Sequence, residues 1–358
     1  MMKYINNNIA LLILAAGSLF ICLGAVSANE SAKSDKGFFP HVFKADYSDM
    51  RGFMYEPSYA WTETEAWHYF DAEIFDLEIG RGKKYFPGMN AIRTSVSIEA
   101  WRRNPKQFIE NFRRFLDIAE KHDVVVMPML FNRWHNFHLD YGGIYVDHFW
   151  RDDQGHYDKF FAPFVNDIVS TFKDDPRIFM WDIANEPMHQ TEKYPDILKA
   201  ELNWMRRIYK TIKQAGAKAP TTVGIWGNAR NGIQLIEPIS DVLSVHSYKQ
   251  PHLTEKRFET RLDNWVSFAQ QKSKPLVVTE TAWGRDTNKE RAENMRYVLG
   301  QFEKRKLGFI PVMLHWSYRI DCHDDSEGLP VGNMLNLEFI NKDGSLRPEH
   351  DVVREFGF

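Results

Sequence analysis

The sequence predicts an α/β fold: a single-domain (β/α)8, or TIM, barrel that follows an N-terminal signal peptide. Two observations carry this. Eight short apolar runs alternate with longer amphipathic or polar stretches, the pattern of parallel strands joined by crossover helices. No glycine-rich phosphate loop follows an early run, as the alternative, an open doubly wound sheet, would usually show. The chain has no internal repeat, low-complexity segment or linker, so residues 38–358 read as one domain.

The elements follow in order. Residues 1–28 have the marks of a secretory signal peptide. Lys3 gives the positive start, Ile9 to Leu23 the apolar stretch, and Val26-Ser27-Ala28 a small-residue cleavage site. The apolar stretch is too short and wrongly flanked for a membrane span. Cys22 raises a lipoprotein anchor as an alternative. Ile21 before it is not the small residue such a site takes, which favours cleavage after Ala28. The expected location is therefore secreted or periplasmic, and residues 29–37 form a polar leader.

Residues 51–55 read as the first strand and 89–96 as the second. Asn104-Pro105 opens a helix to His122, with Phe108, Phe112, Phe115, Leu116 and Ala119 at helical spacing. Residues 124–131 form the third strand, where Pro128 signals a bulge. A long aromatic loop, 132–153, carries Trp134, His135, His138, Tyr141, Tyr145 and Trp150, and a loop of that length is usually functional. Residues 157–172 are helical, and 178–185 form the fourth strand. A strong amphipathic helix covers 194–215, with Gly216 as its stop. Strands five and six are 221–227 and 242–248. A helix over 253–271, strand seven at 276–280, a helix over 288–304, strand eight at 309–316 and a helix over 347–356 complete the chain.

Composition narrows the function classes. The 358 residues are 44% hydrophobic, enough for a large core. The formal charge is -3, and no basic arm or stripe is present, so nucleic acid is not an expected partner. Loss of residues 1–28 removes Cys22 and leaves Cys322 alone, which rules out an internal disulfide in the remaining chain. A core of this size needs none. Aromatic residues reach 14%, as core filling or as platforms for flat ligand faces.

In such a barrel the C-terminal strand ends converge on one face. Arg93 lies near the end of strand two. Asn132, Trp134 and His135 follow strand three. Asn185-Glu186 closes strand four, and Pro187 stops it. Trp226 and Asn228 end strand five, His246 and Tyr248 strand six, and Glu280 strand seven with Trp283 beyond. His315 and Trp316 end strand eight. A carboxylate at the end of a buried strand is costly without a partner or a task. Two of them, on strands four and seven, face each other across the mouth. Glycosidic bond cleavage needs that layout: one proton donor and one nucleophile or base. Their separation, about 5–5.5 Å for retention and about 6.5–9.5 Å for inversion, is not written in sequence.

Plainer readings weigh against some of these residues. His135 and His138 lack a clustered third ligand and read as solvated loop histidines. Cys322-His323-Asp324-Asp325 reads as a turn, so no metal site is expected. His315 reads as a packed histidine beside the site. Trp181 and Trp204 fit core positions; Trp61, Trp134, Trp226 and Trp283 are the candidate sugar platforms.

Taken together, these residues resemble a clan A glycoside hydrolase, most similar to family five, the cellulase and β-mannanase family. The resemblance rests on Asn185-Glu186-Pro187, Glu280, Arg93, His246-Ser247-Tyr248 and Trp316, each at its strand end, and covers essentially the whole mature chain. It implies retaining double displacement, with Glu186 as protonated acid/base and Glu280 as nucleophile, kept ionised by Arg93 and Tyr248. It further implies that Asn185 binds the 2-hydroxyl, that His246 orients Glu186 or the sugar, and that Trp316 floors the ring. Trp134, His135, Trp226 and Trp283 complete the expected substrate-binding set. Two-carboxylate chemistry needs no cofactor, and none is expected.

Tyr141-Gly142-Gly143, Phe149-Trp150 and the run from Lys173 to Pro187 resemble endo-β-1,4-mannanases of that family, which implies a β-linked mannan-type polysaccharide or oligosaccharide as substrate. Thr281-Ala282-Trp283 departs from them, because those enzymes usually place an aromatic and a glycine directly after the nucleophile. The long acidic segment 319–341 would narrow an open cleft, so an exo-acting β-mannosidase or β-glucosidase stays open, as does a β-1,4-glucanase. Transglycosylation shares the same covalent step. A catalytically dead carbohydrate-binding barrel should have lost a glutamate or its helpers, and all are present. The sequence is silent on oligomeric state.

Overall fold

The computed structural model describes residues 46–133, 144–152, 155–188, 193–227, 229, 231–318 and 337–358. The expected signal peptide and leader, Trp134, His135, His138, Asn228, residues 322–325 and most of the 319–341 segment lie outside the described residues.

The described residues contain eight parallel strands in sequence order. They are β1 (Gly52–Met54), β2 (Ala91–Ser95), β3 (Val125–Met129), β4 (Trp181–Asn185), β5 (Thr221–Trp226), β6 (Leu243–His246), β7 (Leu276–Thr281) and β8 (Phe309–Pro311). Phe309 N–H donates to Met50 C=O, and Arg51 bridges Phe309, which brings the last strand back to the first. The expected (β/α)8 barrel is the observed one.

The helices are α1 (Glu63–His68), α2 (Ala72–Tyr85), α3 (Ile98–Arg103), α4 (Pro105–Lys121), α5 (Ala162–Phe172), α6 (Pro195–Gln214), α7 (Gly232–Ile236), α8 (Glu255–Gln271) and α9 (Asn288–Lys304). In α4 the Asn104 side chain accepts from Gln107 N–H and Pro105 occupies the first turn, where its missing N–H costs nothing. The five apolar residues expected on its inner face are all buried. A capping box between Thr287 and Glu290 opens α9.

Alternation along the strands sorts the core into two layers. Ala91, Val125, Met127, Met180, Val277 and Ile310 share one cluster, whereas Ile92, Val126, Trp181, Val278 and Phe309 belong to the larger one packed with the helices. On β2, on β7 and on the chain entering β4, moving two residues toward the C-terminus replaces an apolar member of the first set with a polar residue: Ala91 gives way to Arg93, Val277 to Thr279, Met180 to Asp182. The barrel is apolar at one end and polar at the other.

Several expectations shift. Beyond Pro311 the chain leaves the ladder with β7, and residues 313–316 pair with 337–340: Met313 N–H donates to Leu337 C=O, and Trp316 N–H to Ile340 C=O. The β2–β3 register runs unbroken through Pro128. The irregularity lies on the other side. Val126 N–H donates to Arg177 C=O and Leu130 N–H to Asp182 C=O, so four steps of β3 oppose five of the neighbouring chain where Pro128 offers no donor. Helices α1, α2 and α3 were not anticipated. They start at side-chain caps from Thr62, Asp71 and Ser97. The 157–172 helix opens with a π-turn over Tyr157–Phe161, and the last helix is a 3₁₀ segment, His350–Phe356. Among the described residues no helix is long and apolar enough to cross a membrane.

Candidate active site

Arg93 points from β2 into the polar end of the barrel and is fully buried. Its Nε and Nη2 donate to Asp182 Oδ2 at 2.9 and 2.7 Å, and its Nη1 donates to Glu280 Oε1 at 2.5 Å. Nη2 also donates to Asn185 Oδ1 at 2.9 Å. One planar guanidinium therefore joins β2, β4 and β7, a task that its fixed fork of donors suits. Asn185 Nδ2 donates to Asn132 Oδ1 at 3.1 Å. Tyr248 donates its hydroxyl to Glu280 Oε2 at 2.6 Å. His246 Nδ1 lies 2.7 Å from Glu186 Oε1 and 3.3 Å from Glu280 Oε2. Glu186, His246 and Glu280 each bring an atom within 4.8 Å of the others.

Backbone geometry sets this up. Glu186 has φ 45°, an uncommon left-handed conformation for a residue with a side chain, and it directly precedes Pro187. Its N–H donates to Gly224 C=O, which holds the end of β4 against β5. Gly224 lies beneath the cluster. A Cβ there would sit 2.7 Å from His246 Nε2, 2.9 Å from Arg93 Nη2 and 3.1 Å from Asp182 Oδ2. Its N–H donates to Asp182 Oδ1 at 3.0 Å.

Electrostatics divide the roles. Burial pushes the Glu280 carboxyl up, but His246, Arg93 and the Tyr248 hydrogen bond outweigh it and hold Glu280 below the usual carboxylate range. Burial pulls Arg93 down, and Asp182 and Glu280 more than restore it, so it stays a cation. Burial leaves Asp182 raised despite Arg93 beside it. Burial, with Glu280 and Glu186 adding to it, lifts Tyr248 well above its ordinary value, so it is a neutral donor. Glu186, His246 and Glu280 also have the composition of a cation-binding triad. Arg93 and Tyr248 already donate to both oxygens of Glu280, and a cation would have to compete with them.

A family model for cellulase (glycosyl hydrolase family 5) matches residues 83–318, which include Arg93, Asn185, Glu186, His246, Tyr248, Glu280 and Trp316. The chain belongs to glycosyl hydrolase family 5. A rice protein (Oryza sativa subsp. japonica) named "Putative mannan endo-1,4-beta-mannosidase 9" is 26% identical over 215 residues, 48% of this chain and 51% of that protein. The chain thus spans about half the length of this curated relative. The exo-β-1,4-mannosidase of Opitutaceae bacterium strain TAV5 superposes with TM-score 0.65 at 16% identity, over 86% of this chain and 58% of that one. The endo-β-1,4-mannanase of Thermotoga petrophila gives TM-score 0.59 at 15% identity, over 87% and 77%. At these identities the two structures show a shared fold.

For this family 5 chain the structure brings together Arg93, Asn185, Glu186, His246, Tyr248 and Glu280, six of the residues expected at the site. Trp283 joins them: its ring packs edge-on against Tyr248 at 5.2 Å, and its Nε1 has no hydrogen-bond partner among the described residues. Trp226 is half-buried at the end of β5, in register with His246. Trp316 is buried, edge-on to Tyr318 at 4.9 Å, with Lys342 Nζ 4.1 Å from its ring. Tyr318 stacks on Trp61, which is 50% exposed. Trp181 and Trp204 are core residues, and His315 is packed, with Nδ1 2.8 Å from Trp316 C=O.

Sequence reasoning missed Asp182 and Gly224. Asp182 had a visible signal, as the one charge inside the apolar run 178–184. It also missed a brace behind the site. Arg133 Nε donates to Glu201 Oε1 at 2.6 Å, and Glu201 Oε2 accepts Met188 N–H at 3.1 Å. Arg133 Nη1 also donates to Ile144 C=O. This buried pair fixes to α6 the chain on both sides of residues 134–143 and the turn after β4.

Proposed function

We propose that the protein is a retaining β-glycoside hydrolase of the endo-β-1,4-mannanase type, in which Glu280 is the nucleophile and Glu186 the acid/base. The observation that carries this reading is the approach of Glu186 and Glu280 to within 4.8 Å. One oxygen of each lies within that distance, which favours the closer carboxyl spacing of retaining enzymes, about 5–5.5 Å, over the wider spacing of inverting ones.

In the first step Glu280 attacks the anomeric carbon while Glu186 gives its proton to the departing glycosidic oxygen. In the second, Glu186 takes a proton from water, which displaces Glu280. Arg93 and Tyr248 keep Glu280 ionised and fix its direction of attack. Asn185 has two N–H groups, and Asn132 takes one, so the other is available to a sugar hydroxyl. His246 sits between the two carboxyl groups and orients Glu186. The ring of Trp316 and the edge of Trp283 supply apolar surface for the sugar face.

Mannan is supported by the name of the rice relative and by the mannanase-like runs around residues 141–150 and 173–187. An exo-acting β-mannosidase or β-glucosidase is a second reading, favoured by the acidic sequence after β8, where Asp321, Asp324, Asp325 and Glu327 crowd a short stretch. We further infer export, with residues 1–28 removed, so that the enzyme meets its polymer outside the cytoplasm.

Product analysis tests the proposal. Residues 29–358 are incubated with β-mannan, glucomannan, β-glucan, xylan and aryl β-glycosides, and the anomeric form released first is read by NMR. Mixed-length β-configured oligosaccharides from mannan are expected. Monosaccharide release alone would establish the exo reading. An α-configured first product would overturn retention, and unchanged sugar release by Glu280→Gln would overturn the catalytic assignment.

A further inference from the structure

Beside the carboxylate cluster lies a cavity of about 820 Å³ that includes neither Glu186 nor Glu280. It lies between α7 and α8, with Trp226 at the end of β5 and Gly227 beyond it on one side and the chain from Leu253 to Trp265 on the other. Trp226 and Gly227 place one edge of it at the C-terminal strand ends, where barrel chemistry is built. Gly227 links cavity and cluster. A Cβ there would clash with the backbone C=O of His246 and lie 3.1 Å from the Trp265 ring, so this cavity-lining backbone packs directly against the strand that carries His246. Arg261 reinforces the link, donating from Nη2 to Tyr248 C=O at 2.9 Å.

The cavity is charged in one sense. Lys256, Arg257 and Arg261 line it, and none of its described lining residues is acidic. Helix α8 produces this by sorting its charges. Lys256, Arg257, Thr260, Arg261 and Asn264 share one face at helical spacing. Glu259 and Asp263 turn to α9 and the residue after it, where Tyr297 donates to Glu259 at 3.0 Å and Arg305 to Asp263 at 2.8 Å. A chain with formal charge -3 has thus gathered three cations around one opening next to its reactive carboxylates. Trp226 and Trp265 add aromatic walls, and the Arg261 guanidinium lies 5.1 Å from the Trp265 ring. Burial lowers Arg261 to about 10, which leaves it a cation at neutral pH, and Lys256 and Arg257 are exposed beside it.

We propose that this cavity is an accessory glycan subsite that takes an anionic substituent, a carboxylate or a sulfate ester, carried by the sugar chain beside the bond being cleaved. The inference rests on the glycosidase reading and narrows its substrate to β-glycans with acidic decoration. Trp226 stacks on the sugar, and Lys256, Arg257 and Arg261 bind the oxyanion.

Binding tests it apart from turnover. The Glu280→Gln variant is titrated calorimetrically with three β-oligosaccharides of equal length: one bearing a uronosyl group, the same compound with that carboxyl reduced to the alcohol, and one bearing a sulfate ester. At least one acidic ligand should bind about tenfold tighter than the neutral one. The double variant K256Q/R257Q in the same background should abolish that ratio while neutral binding stays unchanged, and added salt should shrink it. The arm that shows the ratio names the anion. Equal affinity for acidic and neutral ligands, or no measurable binding of either acidic one, overturns the subsite. In parallel, kcat/KM of the unsubstituted enzyme is measured on the same compounds. Hydrolysis without charge preference sinks the subsite and keeps the hydrolase. Charge-dependent binding with no hydrolysis of any glycan does the reverse.

Discussion

Arg93 and Asp182 form an ion pair in which neither side chain is exposed, with Nη2 2.7 Å from Oδ2. Asp182 grips one edge of the guanidinium through Nε and Nη2 and leaves Nη1 for Glu280. The pair orients a cation that in turn fixes a proposed nucleophile. Breaking a buried pair from one side leaves an uncompensated charge and costs about 3–5 kcal/mol. Asp182→Asn is therefore expected to lower the unfolding free energy measured in urea by about that much, with a lower midpoint, and to reduce kcat more than it raises KM. An unchanged midpoint would show that Arg93 is held adequately by Glu280 and Asn185 alone.

Tyr248→Phe removes one of the influences that hold Glu280 below its ordinary value. The Glu280 carboxyl then rises, and the acidic limb of kcat/KM moves to higher pH. A hydrogen bond to a charged group contributes about 1.5–3 kcal/mol, so activity at neutral pH should fall roughly ten- to a hundredfold. The stability sign follows from the same shift. A carboxylate lowered by folding stabilises the protein above its unfolded value, about 4.3, and that contribution disappears as pH falls through the folded value. Urea melts should show the full Tyr248→Phe deficit at pH 6 and a smaller one at pH 3. A deficit of equal size at both pH values would mean that the hydroxyl acts through packing.

Gly224→Ala places a methyl group 2.7–3.1 Å from His246, Arg93 and Asp182, three side chains that are all fully buried. None can swing into solvent. Overpacking of this kind costs about 1–3 kcal/mol. The variant should keep its far-UV circular dichroism, lose part of its thermal stability and lose more than tenfold in kcat. Full activity would show that the cluster tolerates a shift of several tenths of an ångström.

Glu201→Ala leaves Arg133 buried without its carboxylate and removes the acceptor of Met188 N–H. The expected loss is again about 3–5 kcal/mol. Because the brace anchors the chain around residues 134–143, kcat/KM on polysaccharide should fall with it. Glu201→Gln keeps an acceptor and should retain more of both. Equal losses in the two variants would point to the negative charge rather than the hydrogen bond to Met188.

The residues that meet at the barrel mouth were legible because each closes a short apolar run. Glu186 and Glu280 stand out as charges that a buried strand end would reject without a reason. Pro128 gave notice of an irregularity, although the extra residue sits on the chain opposite it. Helices α1 and α3 were not legible, since six residues are too few to establish a helical period.

By itself the sequence determined the barrel, the order of its strands and which residue types gather at its polar end, because hydrophobic period and strand count are local properties written along the chain. Only the tertiary structure decided that Glu186 and Glu280 approach within 4.8 Å, that Asp182 and Gly224 support Arg93, and that α8 turns its cations toward a cavity beside the site. Distances across a barrel mouth depend on strand tilt, register shifts and a left-handed turn at Glu186, and these come from packing among segments far apart in sequence.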